Sequence, residues 1–558
     1  MCLPLLASAE EVQIDGLWYN LDIETYSAKV IQYKNSHKYS GDIVIPNVVN
    51  YNDVKYQVSV IGEKAFQSCK NLNSITIPNS VTIIENSAFY GCSKLISIFI
   101  PDGVRIIGDN AFYQCTSLTS ITLSNSVKTI GDYVFVNCYE LTSVTIGNNV
   151  ATIGRNAFQY CSSLNSVHIS DLTAWCNIAF VGFSSNPLSL AHHLFVNGEE
   201  IKDLVVPNEV TRIGDYMFGG CSSLVSVTIH DRVNTIGKGA FHGCTSLTSI
   251  DIPNTVTTIG DGAFQDCISL TSVSLPNKLG SVESMTFYRC SSLQAITIPN
   301  SVMSIGNSAF AECSGLTSVT LPNSVMTIGN YAFNGCTGLI AVNIPTSLTS
   351  IANGMFNYCS SLTSVIIPNS ITTIGESAFG CCTDLTFVYI PNSVTSIGGY
   401  AFSGCSNLGT ITIPNNVTAI ADRAFEGCIG LISVSIGRSV SSIGSLTFAD
   451  CNNLSDVYCF SNAVPSTIND AFDGSYVEKA TLHVLPALVD EYKVTIPWSN
   501  FKIVEPLSDE ETGVGNFATQ KPRTPDYILP CGLIVTNGKK GVNIIRMSDG
   551  STRKILVN

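Results

Sequence analysis

The chain has 558 residues, of which 28 are basic and 42 acidic, for a formal net charge of −14. So acidic a chain cannot neutralise a run of phosphates, which excludes nucleic acid as a partner. With 45% hydrophobic residues disorder is excluded as well, and no apolar run reaches the roughly 18 residues of a membrane-spanning helix.

In chain order, residues 1–9 come first. Met1-Cys2-Leu3-Pro4-Leu5-Leu6-Ala7-Ser8-Ala9 reads as the truncated remnant of a secretory signal peptide, a short apolar stretch ending in an A-x-A cleavage pattern. Secretion or display at the cell surface is therefore expected. In residues 10–60, alternating apolar residues flank Asp15-Gly16, a two-residue hairpin signal. This segment is expected to form an N-terminal cap over an otherwise open sheet edge.

Residues 61–474 are periodic. Sixteen cysteines, from Cys69 to Cys161 and again from Cys221 to Cys451, recur every 23 residues, with one gap of 60. Each has Phe three residues before it and Leu three residues after it. A fixed period of this size marks a solenoid, in which no single unit can bury its own apolar residues but stacked units can. In the unit CSGLTSVTLPNSVMTIGNYAF that starts at Cys313, Leu316, Val319 and Leu321 have L-x-x-L-x-L spacing. The alternation at Val319, Thr320 and Leu321 predicts a short strand with one buried face. Pro322 ends that strand, because it has no N–H for the ladder. Val325 and Ile328 predict a short return strand, and residues 330–334 a helical turn. Gly follows the return-strand Ile in most units, but Glu85, Glu283, Ala352 and Ala421 stand there in others, so no left-handed backbone is expected at that slot.

The long gap holds an irregular insertion at about residues 170–205. It gathers Trp175, Cys176, His192, His193, Glu199 and Glu200, the one mixed-chemistry stretch in the chain. A Cys–His nucleophile pair would make it a hydrolase. The adjacent histidines cannot both face one site from a strand, and no orienting third group accompanies them, so a structural insertion is the stronger reading. The periodic cysteines are read as buried free thiols acting as small hydrophobes, and Cys381, beside Cys382, as a residue at a variable position. Zinc would need clustered C-x-x-C or His spacing, which is absent. No catalytic residue, cofactor or metal is expected.

Beyond the repeats, residues 475–505 predict a C-terminal cap: a strand at 481–484, a helix at 486–492 and an aromatic plug at Trp498 and Phe501. Residues 506–526 read as a linker. Residues 527–558 read as a β tail with two short strands around Asp549-Gly550, resembling the sorting or anchoring modules of proteins exported in Bacteroidetes.

The unit CSSLTSVIIPNSITTIGESAF from Cys359 resembles the BspA-type leucine-rich repeat of bacterial surface proteins, and the resemblance spans about residues 42–485. It implies a right-handed leucine-rich repeat solenoid: a parallel β ladder with short return strands and helical turns, capped at both ends. It further implies a non-catalytic adhesin for host or bacterial protein and glycan ligands, extracellular matrix included. The alternative is a structural coat or spacer.

A binding face is expected on the outward positions of the ladder, five and seven residues after each cysteine, which are mostly Ser and Thr. Ile366, Phe387 and Tyr389 depart from this pattern on neighbouring strands and are the candidate ligand-binding residues, since exposed aromatics make binding hot spots. Phe99, His168, Asp251, Asn343, Asp456 and Tyr458 are isolated departures.

Overall fold

The computed structural model describes residues 10–33 and 38–508, and four strands beyond them. The signal-peptide reading of residues 1–9 and nearly all of the 506–526 linker lie outside the described residues. Met1–Pro276 and Asn277–Asn558 form two compact units. Each is a solenoid of parallel strands with a 23-residue period.

One coil explains the rest. Ser318–Thr320 forms the face strand, Pro322 ends it, and Thr327–Ile328 forms the return strand. Leu316, Val325, Ala332, Phe333 and Cys336 are fully buried. Parallel pairing keeps equivalent residues in register, as where Ser120, Ile121 and Thr122 face Ser143, Val144 and Thr145. Each buried side chain therefore lies on its own copy in the next coil. The phenylalanines stack face to face, with centroids 5.2 Å apart for Phe89 and Phe112 and 5.3 Å for Phe310 and Phe333. Burial of each such side chain contributes about 1.5–3 kcal/mol, which a solitary coil would forgo.

The expected helical turn between return strand and cysteine is instead a run of tight turns, with Asn334 N–H bonded to the Tyr331 carbonyl and Cys336 N–H to the Phe333 carbonyl. Two residues of each run are left-handed, for example Tyr331 at φ 59° and Gly335 at φ 70°. Their N–H groups point away from their own coil and donate to Asn353 and Asn357 of the next, both at 2.8 Å. A helix would spend those donors within the coil. The Gly after the return-strand Ile is not left-handed, as expected. It serves close approach: a Cβ on Gly329 would lie 2.6 Å from the Asn307 nitrogen one coil back.

The described cysteines are free and buried, apart from the half-buried Cys381. They are also donors. The Cys336 thiol reaches the Phe310 carbonyl of the previous coil at 3.1 Å, and the bond recurs in most coils from Cys92 to Cys451. That carbonyl also accepts the Cys313 N–H, so both of its lone pairs are used.

In the first unit, Glu10–Ile14, Leu17–Asp22 and Ser27–Ile31 form an antiparallel meander. Asp15 and Gly16, both at positive φ, make its first two-residue turn. Ser27–Ile31 then pairs in parallel with Val54–Ile61, which pairs with the first return strand, Ile83–Ile84. In the second unit, Asp456–Cys459 pairs with Thr481–Val484, and that strand with Ile503–Pro506. Phe472, Trp498 and Phe501 are buried against one another, with the Phe472 ring edge-on to both others. Further on, Gly541–Arg546 pairs antiparallel with Thr552–Val557; Asp549-Gly550 lies outside the described residues.

Candidate functional site on the ladder face

The structure brings the three candidate residues together. Ser364–Ile366 and Phe387–Tyr389 pair in parallel, with Ile366 opposite Tyr389 and Ser364 opposite Phe387. Phe387 and Tyr389 lie two apart on one strand and share its outer face. Ile366 is 52% exposed and Tyr389 42%, while Phe387 is half-buried. These two strands form a two-stranded sheet of their own, separate from Ala295–Thr297, Ser318–Thr320 and Ala341–Val342 on one side and from the sheet beginning at Thr410–Ile413 on the other.

Beside the break, at Asn343, the chain departs from the regular bonding. In a regular coil the residue that ends the strand donates its N–H to the next coil's backbone, as Leu123 does to the Thr145 carbonyl. At Leu321 the Asn343 side chain takes over: its Oδ1 accepts the Leu321 N–H at 3.0 Å and its Nδ2 donates to the Leu321 carbonyl at 2.7 Å. The Asn343 amide thus replaces one backbone bond toward the Ser318–Thr320 coil, and the Ala341–Val342 strand has only two residues. The space beside it is a groove of about 510 Å³, walled by Thr320, Ala341, Asn343, Ser364, Ile366 and Pro368. Its walls carry no charge. In size it falls within the range of small-ligand pockets, about 300–1,000 Å³.

Two other departures from the Ser/Thr pattern are not isolated. His168 stacks on Phe195 at 4.9 Å. Tyr458 stacks on His483 at 4.4 Å, and the His483 Nε2 lies 3.2 Å from Asp456 Oδ1. The sequence pattern misses these pairs because Phe195 and His483 belong to irregular segments, outside the period that defines the outward slots.

The insertion does not assemble a Cys–His pair. Cys176 is buried, and its thiol is pushed up to about 12 by burial, with Asp171 nearby adding to the effect. A nucleophilic cysteine needs the opposite shift. His192 is turned to the Gly220 carbonyl at 3.0 Å, and His193 is bonded to Glu200, whose carboxyl that contact holds below its ordinary range. On the turn side, the insertion stands in for a missing rung. Trp175 Nε1 donates to the Met217 carbonyl at 3.2 Å, and Asn186 Nδ2 to the Tyr216 carbonyl at 2.7 Å. Side-chain donors thus supply what the turns of a regular coil supply from the backbone.

Among the described residues, no three His, Cys, Asp or Glu side chains cluster to hold a metal, and no helix is long and apolar enough to cross a membrane. Comparison with curated proteins gives no match. Among solved structures, a leucine-rich repeat protein from Bacteroides ovatus is 27% identical, with 82% of this chain and 99% of that one covered and a TM-score of 0.41. A leucine rich cell surface protein from Faecalibacterium prausnitzii is 26% identical over 76% of this chain and 94% of its own, with a TM-score of 0.37. The pneumococcal vaccine antigen PcpA is 17% identical over 90% and 99%, with a TM-score of 0.29. The model of the BspA type leucine rich repeat region matches residues 59–186, 188–302, 280–395 and 373–489. The chain is a member of the BspA-type leucine-rich repeat family.

Proposed function

We propose that this chain is a non-catalytic binding protein, secreted or held at the cell surface, that acts as an adhesin for protein or glycan ligands through its ladder face. One observation carries the reading. On a face mostly lined with Ser and Thr, Ile366, Phe387 and Tyr389 stand together on a separate pair of strands, beside an uncharged groove. An aromatic and aliphatic cluster next to a concavity, with hydroxyls around it, is the composition of a binding hot spot. Weak contacts repeated along a ladder add through multivalency. Membership in a family of surface repeat proteins and similarity to a protein described as a cell surface protein support the location.

The test is a binding screen of the full chain against extracellular matrix proteins and mucin glycans. A Phe387→Ser, Tyr389→Thr double variant, which restores the regular face, runs beside it. Saturable binding weakened tenfold or more in the variant is the expected result. Binding that survives the variant would move the site elsewhere on the face. Silence across the panel, with self-assembly of the free chain, would favour a coat or spacer.

A further inference from the structure

The insertion leaves a second opening, on the return-strand side of the first unit. Ala179–Phe180 pairs with Thr152–Ile153, and Arg212–Ile213 pairs with Thr235–Ile236, but Ala179–Phe180 ends one sheet and Arg212–Ile213 begins another. The series of inter-coil bonds shows what is missing. Gly131, Gly154, Val181, Gly237 and Gly260 each donate an N–H to the return-strand residue one coil earlier. Gly214, at the equivalent slot, makes no such bond, and the Phe180 carbonyl receives none. Steric surroundings agree independently. A Cβ on Gly154 or Gly237 would strike backbone within 2.7 Å, whereas on Gly214 it would meet only the flexible end of Met217. Between the two edges lies a cavity of about 410 Å³, with Cys176, Phe180 and Met217 among its apolar walls and the Thr211, Arg212 and Gly214 segment along one side.

The geometry points to a binding slot for an extended peptide, which enters as the absent rung. The Phe180 carbonyl on one edge and the Gly214 N–H on the other are open, and each edge already pairs in parallel with its far neighbour. A peptide backbone satisfies the two edges at once, and addition of a strand to open sheet edges is an established recognition mode. The neighbouring rungs also define which residues fit. Thr129-Ile130-Gly131-Asp132 turns Ile130 inward, uses Gly131 for close approach and extends Asp132 Oδ1 to the Arg155 N–H at 2.6 Å. At the slot, the Asp215 N–H stands where Arg155 does. A ligand segment should therefore read Thr or Ser, then Ile or Val, then Gly, then Asp or Asn. This site is separate from the Ile366–Tyr389 face and does not depend on the function proposed for it.

The experiment uses the full chain and a fluorescent peptide with the sequence of residues 126–133. Anisotropy should show saturable binding. N-methylation of the peptide at its Ile, which deletes one backbone donor, should weaken binding tenfold or more. Gly214→Val, which projects a branched side chain into the slot, should do the same without lowering the melting temperature by more than a few degrees. The Phe387→Ser, Tyr389→Thr variant should bind this peptide like the wild type. No binding at millimolar peptide would overturn the proposal, as would equal binding of the N-methylated peptide or of a folded Gly214→Val variant.

Discussion

At the position before each periodic cysteine the backbone is left-handed, and the residue there decides what that costs. Gly91, Gly243, Gly335, Gly404 and Gly427 hold it in some coils, but Gln114, Tyr160, Glu312, Tyr358 and Cys381 hold it in others. A side chain in this conformation costs roughly 1–2 kcal/mol, least for Asn. Gly427 separates that cost from crowding, since a Cβ there would approach nothing closer than 3.8 Å. Gly427→Val should therefore lower stability by about 1–2 kcal/mol, while Gly427→Asn stays near the wild type. Denaturant midpoints of the two variants check this, and equal midpoints would refute the conformational explanation. The slot was legible in the sequence, because Gly recurs there six residues after the return-strand Gly. The return-strand Gly is the more frequent of the two and masks it. Its frequency reflects steric closeness between coils, and Cys381 occupies the left-handed slot, where residue type varies from coil to coil. The thiols were legible as buried, but their bonds to the phenylalanine carbonyls were not, since spacing reveals neighbours and not donors.

Single elements show a sharper limit. The regular face and return strands follow from alternation and from Pro322-type stops, because the period forces like residues to stack. Ile366 and Tyr389 fall together by the same logic, two slots on successive rungs. The groove beside them was not legible: it lies where Ala341–Val342 and Ser364–Ile366 stop pairing, and both coils keep the 23-residue spacing there. The insertion was legible only as an interruption. Its organising residue is Asn186, fully buried, which donates to the Tyr216 and Met217 carbonyls and accepts the Leu188 N–H at 2.9 Å. Asn186→Leu keeps the branched shape but strands the Leu188 N–H in an apolar setting, whereas the Tyr216 carbonyl keeps the Gly219 N–H. It should destabilise the first unit by about 1–3 kcal/mol, the cost of one unsatisfied buried group. Loss of amide-exchange protection confined to residues near 171–220 would be the signature. A variant with unchanged protection there would show that the insertion is held by Trp175 and its apolar contacts alone.

For the molecule as a whole, the thiols set the response to pH. Burial pushes up the pKa of cysteine after cysteine in both units, Cys161, Cys336 and Cys451 to about 12 and others, such as Cys115 and Cys405, well above the ordinary value. In the unfolded chain the same thiols titrate near their ordinary value of 9.0. A raised folded-state pKa favours the protonated, folded form, so this contribution is fully present below pH 9 and is lost as pH rises from there toward 12. Each thiol changes stability by up to about 1.4 kcal/mol per pH unit in that window. A dozen together approach on the order of 15 kcal/mol per pH unit, more than a typical domain's entire stability. Tyr39, also pushed up to about 12 by burial, acts in the same direction a little later. Melting temperature, measured with dithiothreitol present, should therefore hold nearly constant from pH 6 to 8 and fall steeply above pH 9. Calorimetry at pH 9.5 in buffers of different ionisation enthalpy should show release of on the order of ten protons per chain on unfolding. A flat profile to pH 10.5 would mean that the thiols ionise within the folded coils. In that event the bonds from each cysteine to the preceding phenylalanine carbonyl could not be what holds those protons in place.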